Sequence, residues 1–204
     1  MKKLMWLLPL VALIVSCGGE EEEAYMPLAV GNEWTYNVMY QMIYIDTVEV
    51  TGTAVTAITR FATLANDEDA YEFVETITWD DTLITPNSID TSYLLETDEY
   101  LLIYDDLADT MPDTSLVLPF VDGNSWTVYA DSVDTLIAEV LGQEAVTVPA
   151  GTFDDCWVVE YTSLGQTQHN WFARDVGIAK HFMQIVDQNM TFEFTRELTA
   201  YDLQ

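Results

Sequence analysis

The chain has 204 residues, 50% of them apolar, with 35 Asp and Glu against 6 Lys and Arg and a formal net charge of −29. That length suits one domain with a real core, and the half-apolar composition excludes intrinsic disorder, which needs low hydrophobicity as well as charge. So few bases also exclude phosphate-driven nucleic-acid binding, because neutralising several phosphates takes a cluster of basic residues.

The first element is an address. Residues 1–16 hold Lys2 and Lys3, no acid, and an apolar run from Leu4 to Val15. A helical run of that length covers about 18 Å, short of a hydrocarbon core of about 30 Å, so it predicts a cleaved secretory signal instead of a membrane span. Ile14-Val15-Ser16-Cys17 resembles the bacterial lipobox, in which the signal is cut before the cysteine and that cysteine carries lipid. The resemblance implies lipidation at Cys17, with a membrane as partner through two or three chains that hold firmly. Gly18 stands where the enteric inner-membrane retention signal places Asp, which implies the outer membrane. Residues 17–25, with Glu20 to Glu23, read as an acidic tether repelled by anionic headgroups. Similar acidic runs serve as surface-export signals in some bacteria, so a periplasmic and a cell-surface facing both stay open. Removing residues 1–16 takes two bases and no acids, which leaves 35 acids against 4 bases and a net charge of −31. With Cys17 given to lipid, Cys156 is unpaired and the exported fold holds without a disulfide.

From Trp34 onward period two dominates. Trp34, Tyr36, Val38, Tyr40, Met42 and Tyr44 alternate with polar positions such as Thr35, Asn37 and Gln41, the mark of an antiparallel strand with one buried face. Alternation resumes at Val48 and Val50. Further strands are expected at 54–58, 71–79, 93–95, 100–104, 126–129, 134–141, 145–148, 156–162, 169–173, 178–186 and 190–195, all rich in Val, Ile, Thr, Tyr or Trp. Residues 60–70 come nearest to a helical stripe and are the one helical candidate. Val148-Pro149-Ala150-Gly151 specifies a hairpin turn, and Asp175-Val176-Gly177 a second.

The chain also repeats itself. Residues 26–35 (MPLAVGNEWT) match residues 118–127 (LPFVDGNSWT), with Pro, Gly, Asn, Trp and Thr coinciding at an offset of 92. The expected architecture is all-β with little helix: an antiparallel curved sheet, half-barrel or sandwich built from two duplicated strand meanders. A single domain over 26–204, with repeats at 26–117 and 118–204, fits better than two independent units. Val30 to Tyr36, Val148 to Phe153 and Trp171 to Ile178 resemble segments of a set of bacterial lipoproteins of unknown function, which run from a GxxWxY opening through a VPAGTF hairpin to an aromatic VG hairpin. The resemblance implies an all-β envelope lipoprotein and no activity. The open, curved barrel of lipoprotein carriers is the nearest architectural analogue, an analogy of fold alone.

The residues with functional reach are aromatic. Trp34, Tyr36, Tyr40 and Tyr44 are the candidate ligand-facing positions: in a closed sandwich their face is simply core, whereas in a curved half-barrel it lines a cavity for an apolar ligand. The two histidines, His169 and His181, share a face if hairpin partners sum to 352 and lie on opposite faces if they sum to 351. Neither register supplies a third metal ligand. Acid runs at 67–69, 80–81, 105–113 and 154–155 lack the Gly-containing spacing of a calcium loop, so only weak divalent binding is expected and no cofactor is implied. Cys156 in an alternating strand reads as a small packed hydrophobe. No catalytic motif is present. The expected role is a non-enzymatic binding or interaction module of the envelope, with a carrier or sensor of an apolar ligand and a hydrolase of envelope polymers as alternatives.

Overall fold

A computed structural model describes residues 24–187 and 189–204. The lipobox, Cys17 and residues 18–23 of the tether lie outside the described residues. The strands are β1 (Glu33–Ile43), β2 (Thr47–Thr63), β3 (Asp69–Trp79), β4 (Ser88–Glu96), β5 (Tyr100–Tyr104) and β6 (Asp113–Val117), followed by β7 (Ser125–Ala130), β8 (Thr135–Val148), β9 (Gly151–Ser163), β10 (Gln166–Ala173), β11 (Gly177–Asp187) and β12 (Met190–Asp202). All pairings are antiparallel, in one sheet of order β6-β5-β4-β3-β2-β1-β12-β11-β10-β9-β8-β7.

The two edge strands are consecutive in the chain. Residues 118–124 join β6 to β7, Trp126 Nε1 donates to Thr114 O at 3.0 Å, and Tyr161 Oη donates to Ser115 O at 3.3 Å. The sheet is therefore rolled into a nearly closed barrel whose seam is held by side chains instead of a full ladder. That geometry protects edges that would otherwise template further pairing.

The two Gly-Asn turns share a backbone pattern. Gly31 and Gly123 both take left-handed φ, +100° and +76°, which only glycine adopts without strain. Asn32 N donates to Ala29 O at 3.1 Å, and Asn124 N to Val121 O at 2.9 Å. The turns then dock on the neighbouring strand in the same way: Gly31 N reaches Ile58 O and Asn32 O accepts from Ile58 N, while Gly123 N reaches Val140 O and Asn124 O accepts from Val140 N. These turns launch β1 and β7, the first strands of two six-strand meanders.

Odd and even connections fall at opposite ends of the barrel, because every pairing is antiparallel. One end carries Ala24 and Gln204 and is plugged. Tyr25 is buried, stacks 4.9 Å from Phe120, and its hydroxyl accepts from Trp157 Nε1 at 3.1 Å. Asp175 N donates to Ala24 O at 2.7 Å, and Trp34 Nε1 to Val176 O at 2.6 Å. Tyr25, read from sequence as tether, thus belongs to the fold. The hairpin at Pro149-Ala150 forms as expected, with Val148 opposite Gly151, and its tip reaches β12, where Ala150 N donates to Leu198 O at 2.9 Å. Among the described residues, the other end carries the connections β1–β2, β3–β4, β5–β6, β7–β8, β9–β10 and β11–β12.

Three expectations are corrected. Residues 60–70 are not helical: β2 runs to Thr63 and β3 starts at Asp69. A bulge between Ile58 and Arg60 inverts the alternation there, so Ala62 and Ala70 pair and are both buried beside Leu64. The strands expected at 134–141 and 145–148 are one, β8, continuous through two bulges at Val140/Gly142 and Glu144/Val146. β6 was not anticipated, because its one fully buried side chain, Leu116, gives no alternation to read.

Candidate functional site

Directly paired residues share a face, so the register traces rows across the sheet. The face of Trp34, Tyr36 and Val38 is the inner one. Its middle row runs Gly52, Val38, Arg196, His181, Asn170, Val159 and Val140. One step towards the open end the row is Val50, Tyr40, Phe194, Met183, Gln168 and Tyr161, and the next is Val48, Met42, Phe192, Ile185, Gln166 and Ser163. Val38, Val140 and Val159 are fully buried, whereas Tyr40, Met42, Met183, Ile185, Phe192 and Phe194 are only half-buried. The inner face is thus sealed at the plugged end and accessible towards the open one.

The floor of this mouth is polar. Arg196 reaches Glu75, with Nη2 at 2.9 Å from Oε1 and Nη1 paired to Oε2. Glu75 lies opposite Thr56, itself opposite Trp34, so on a flat sheet the two would be three strand spacings and four residues apart, roughly 20 Å. Only curvature brings them together. Arg196 stacks over Tyr36 and Phe194 at 5.6 and 5.5 Å, and its Nε is buried without an acceptor. His181 Nδ1 meets Asn170 Oδ1 at 2.8 Å, and the ring lies 5.5 Å from Phe194. Burial, with the nearby Arg196 charge, pushes the His181 imidazole down to about 3, so it is neutral at physiological pH. Burial raises the Tyr36 phenol, partly offset by Arg196, and raises Tyr161, partly offset by Asn170.

The candidate aromatics separate by depth. Trp34 and Tyr36 are core, Tyr40 lines the mouth, and Tyr44 sits past the end of β1 and is 57% exposed. The β10–β11 register has a sum of 351: His169 pairs with Phe182 and Asn170 with His181, so the histidines face opposite sides. His169 is on the outer face, 2.9 Å from Glu160, beside Trp171 and a groove of about 320 Å³ lined also by Leu141, Glu144, Val158 and Phe182. Cys156 is buried, and burial with Asp155 and Glu144 nearby pushes its thiol up to about 11, which disfavours the nucleophilic thiolate. The acid runs 67–69, 80–81 and 105–109 lie in or beside turns; burial and the charges of Asp105 and Asp109 raise Asp113. Among the described residues no group of three His, Cys, Asp or Glu is placed to hold a metal ion. Sequence reasoning missed Arg196 and Glu75, since nothing links residues 121 apart before the fold is known.

The rolled sheet is similar to a crystal structure described as a "putative exported protein with YmcC-like fold" from Bacteroides fragilis, with a TM-score of 0.50 and 14% identity over 86% of this chain and 97% of that one. A "putative lipoprotein" from Parabacteroides distasonis aligns at a TM-score of 0.47 and 13% identity, covering 87% of this chain and 98% of its own. No family model and no curated protein matches the chain. The likeness is one of fold.

Proposed function

We propose that this chain is a lipid-anchored protein of the bacterial envelope that binds an apolar ligand in the mouth of its barrel, without catalysing a reaction on it. The observation that carries the binding reading is a run of half-buried apolar side chains on the two inner rows towards the open end: Tyr40, Met42, Met183, Ile185, Phe192 and Phe194. A soluble barrel of this size can fill its inside, as the buried rows nearer the plug do, and leaving six large apolar side chains half-open is costly unless something covers them. The supports for location are the lipobox-like Ile14 to Cys17 and a fold neighbour described as exported. Ala24 and Tyr25 sit at the plugged end, so a barrel anchored through the residues before them would present its mouth away from its own membrane.

Native mass spectrometry of the chain from Ala24 onward tests the binding reading. A co-purifying adduct of lipid size is expected; a clean mass together with no thermal shift on adding fatty acids or detergents sinks it. Labelled palmitate tests the anchor: it should mark the wild type and spare Cys17→Ser, and incorporation into both refutes lipidation at Cys17.

A further inference from the structure

The end of the barrel away from the plug carries a feature the mouth does not explain. Five of its six connections, residues 44–46, 80–87, 105–112, 131–134 and 164–165, each hold one nearly bare apolar side chain. Ile45, Leu83, Met111, Val133 and Leu164 are between 77% and 97% exposed. Among the described residues of the plugged end, the connection residues Leu64, Phe120 and Val176 are buried, and Val121, at 56%, is the most exposed large hydrophobic side chain. The same five connections hold eight aspartates (Asp46, Asp80, Asp81, Asp105, Asp106, Asp109, Asp131 and Asp134) and no Lys or Arg. Two of the apolar tips, Val133 and Leu164, line a groove of about 650 Å³ with Asp131 and Asp134.

Single exposed hydrophobes are ordinary; one at the tip of each of five neighbouring hairpins is a surface. Three occupants are conceivable, and charge separates them. An anionic lipid surface is repelled by eight carboxylates, and a second copy brings eight more of the same sign. A basic partner with apolar side chains meets both features at once, because opposite charge steers encounter and the apolar tips supply burial. We infer that this crown of hairpins is a docking surface for a cationic, amphipathic protein segment, with Leu and Lys or Arg chemistry on one face. This goes beyond the ligand in the mouth: the crown residues are turn tips outside the inner rows.

Because any basic peptide is attracted to a chain this acidic, the test holds charge constant. The mature chain with Cys17→Ser is titrated, by fluorescence anisotropy, with a labelled amphipathic Leu/Lys peptide. The same titration is run with a Ser/Lys peptide of equal charge and a Leu/Glu peptide of the same pattern. A fivefold variant (Ile45→Ser, Leu83→Ser, Met111→Ser, Val133→Ser, Leu164→Ser) keeps every charge and touches only exposed turns. The Leu/Lys peptide should bind the parent at least about tenfold more tightly than the Ser/Lys peptide, and the variant should lose that advantage. The Leu/Glu peptide should not bind. Equal affinity for the Leu/Lys and Ser/Lys peptides, unchanged Leu/Lys binding by the variant, binding of the Leu/Glu peptide, or no Leu/Lys binding at all would each overturn the inference.

Discussion

Acidification from pH 7 to pH 5 should cost this protein about 2 kcal/mol through His181 alone. The imidazole is half-buried on the middle inner row, meets Asn170 at Nδ1, and stands beside the cation of Arg196 and the ring of Phe194. Both burial and Arg196 oppose a second positive charge, so its folded value falls from 6.5 to about 3. The sign follows from linkage. Between about 3 and 6.5 the unfolded chain holds a proton on His181 that the folded chain does not, so stability falls as the pH falls through that window. At pH 5 the unfolded imidazole lies about 1.5 pH units below its own midpoint, which at about 1.4 kcal/mol per unit gives about 2 kcal/mol. The loss continues towards pH 3. Other groups titrate in the same range, so the measurement is a difference: urea unfolding of wild type and His181→Gln at pH 7, 6 and 5. Contributions common to both proteins cancel. The gap between the two proteins should change by about 2 kcal/mol in favour of the variant on going from pH 7 to 5. A gap that stays constant with pH would refute the claim that His181 is held neutral.

Three further outcomes are expected. Arg196→Met should destabilise by about 3 kcal/mol, because it strands Glu75 on the inner floor, and Arg196→Met combined with Glu75→Leu should recover most of that; a double variant as damaged as the single would contradict it. Gly52→Ala should lower stability by about 1–3 kcal/mol in chemical denaturation, since a Cβ there would run into Thr78 O and Trp79 Cα of β3, and an unchanged midpoint would show the strands can separate freely. Cys156 should resist thiol reagents in the native state and react only under denaturant, since it is buried and its thiol is raised; labelling at similar rates in both conditions would contradict the buried placement.

What the sequence disclosed and what it hid divide along a physical line. Local signals were reliable. The turn chemistry of Pro149-Ala150 and of Asp175 to Gly177 formed hairpins as expected, and the matching Gly-Asn-Trp segments gave matching backbone hydrogen bonds at Gly31 and Gly123. Where a bulge inverted the alternation, the reading failed: the shift at Ile58/Arg60 brought Ala62 to a buried position and imitated a helical spacing around residues 60–70. The β10–β11 register was undecided because a one-residue slip leaves composition unchanged; the structure chose the slip that puts His181 inside and His169 outside. Most hidden was the polar floor. Arg196 and Glu75 meet only because the sheet rolls, and no pattern within a strand reports curvature. The aromatic face showed the same limit: its period was legible, but not that Trp34 and Tyr36 are core while Tyr40 sits where the inner face opens.

The methionines are placed to test the central claim, that the mouth receives a small apolar ligand. Met42 and Met183 stand on the two half-buried inner rows, Met39 lies on the other face of β1, Met111 tips a crown hairpin, and Met26 packs in the plug. Methyl NMR of the methionine-labelled mature chain with Cys17→Ser, titrated with a neutral single-chain detergent below its micelle concentration, should move Met42 and Met183 saturably and leave Met39, Met111 and Met26 in place. Met190, the sixth methionine of the mature chain, starts β12 opposite Asp187 at the rim and does not discriminate. Shifts spread evenly over the other five, or none at Met42 and Met183, would contradict it.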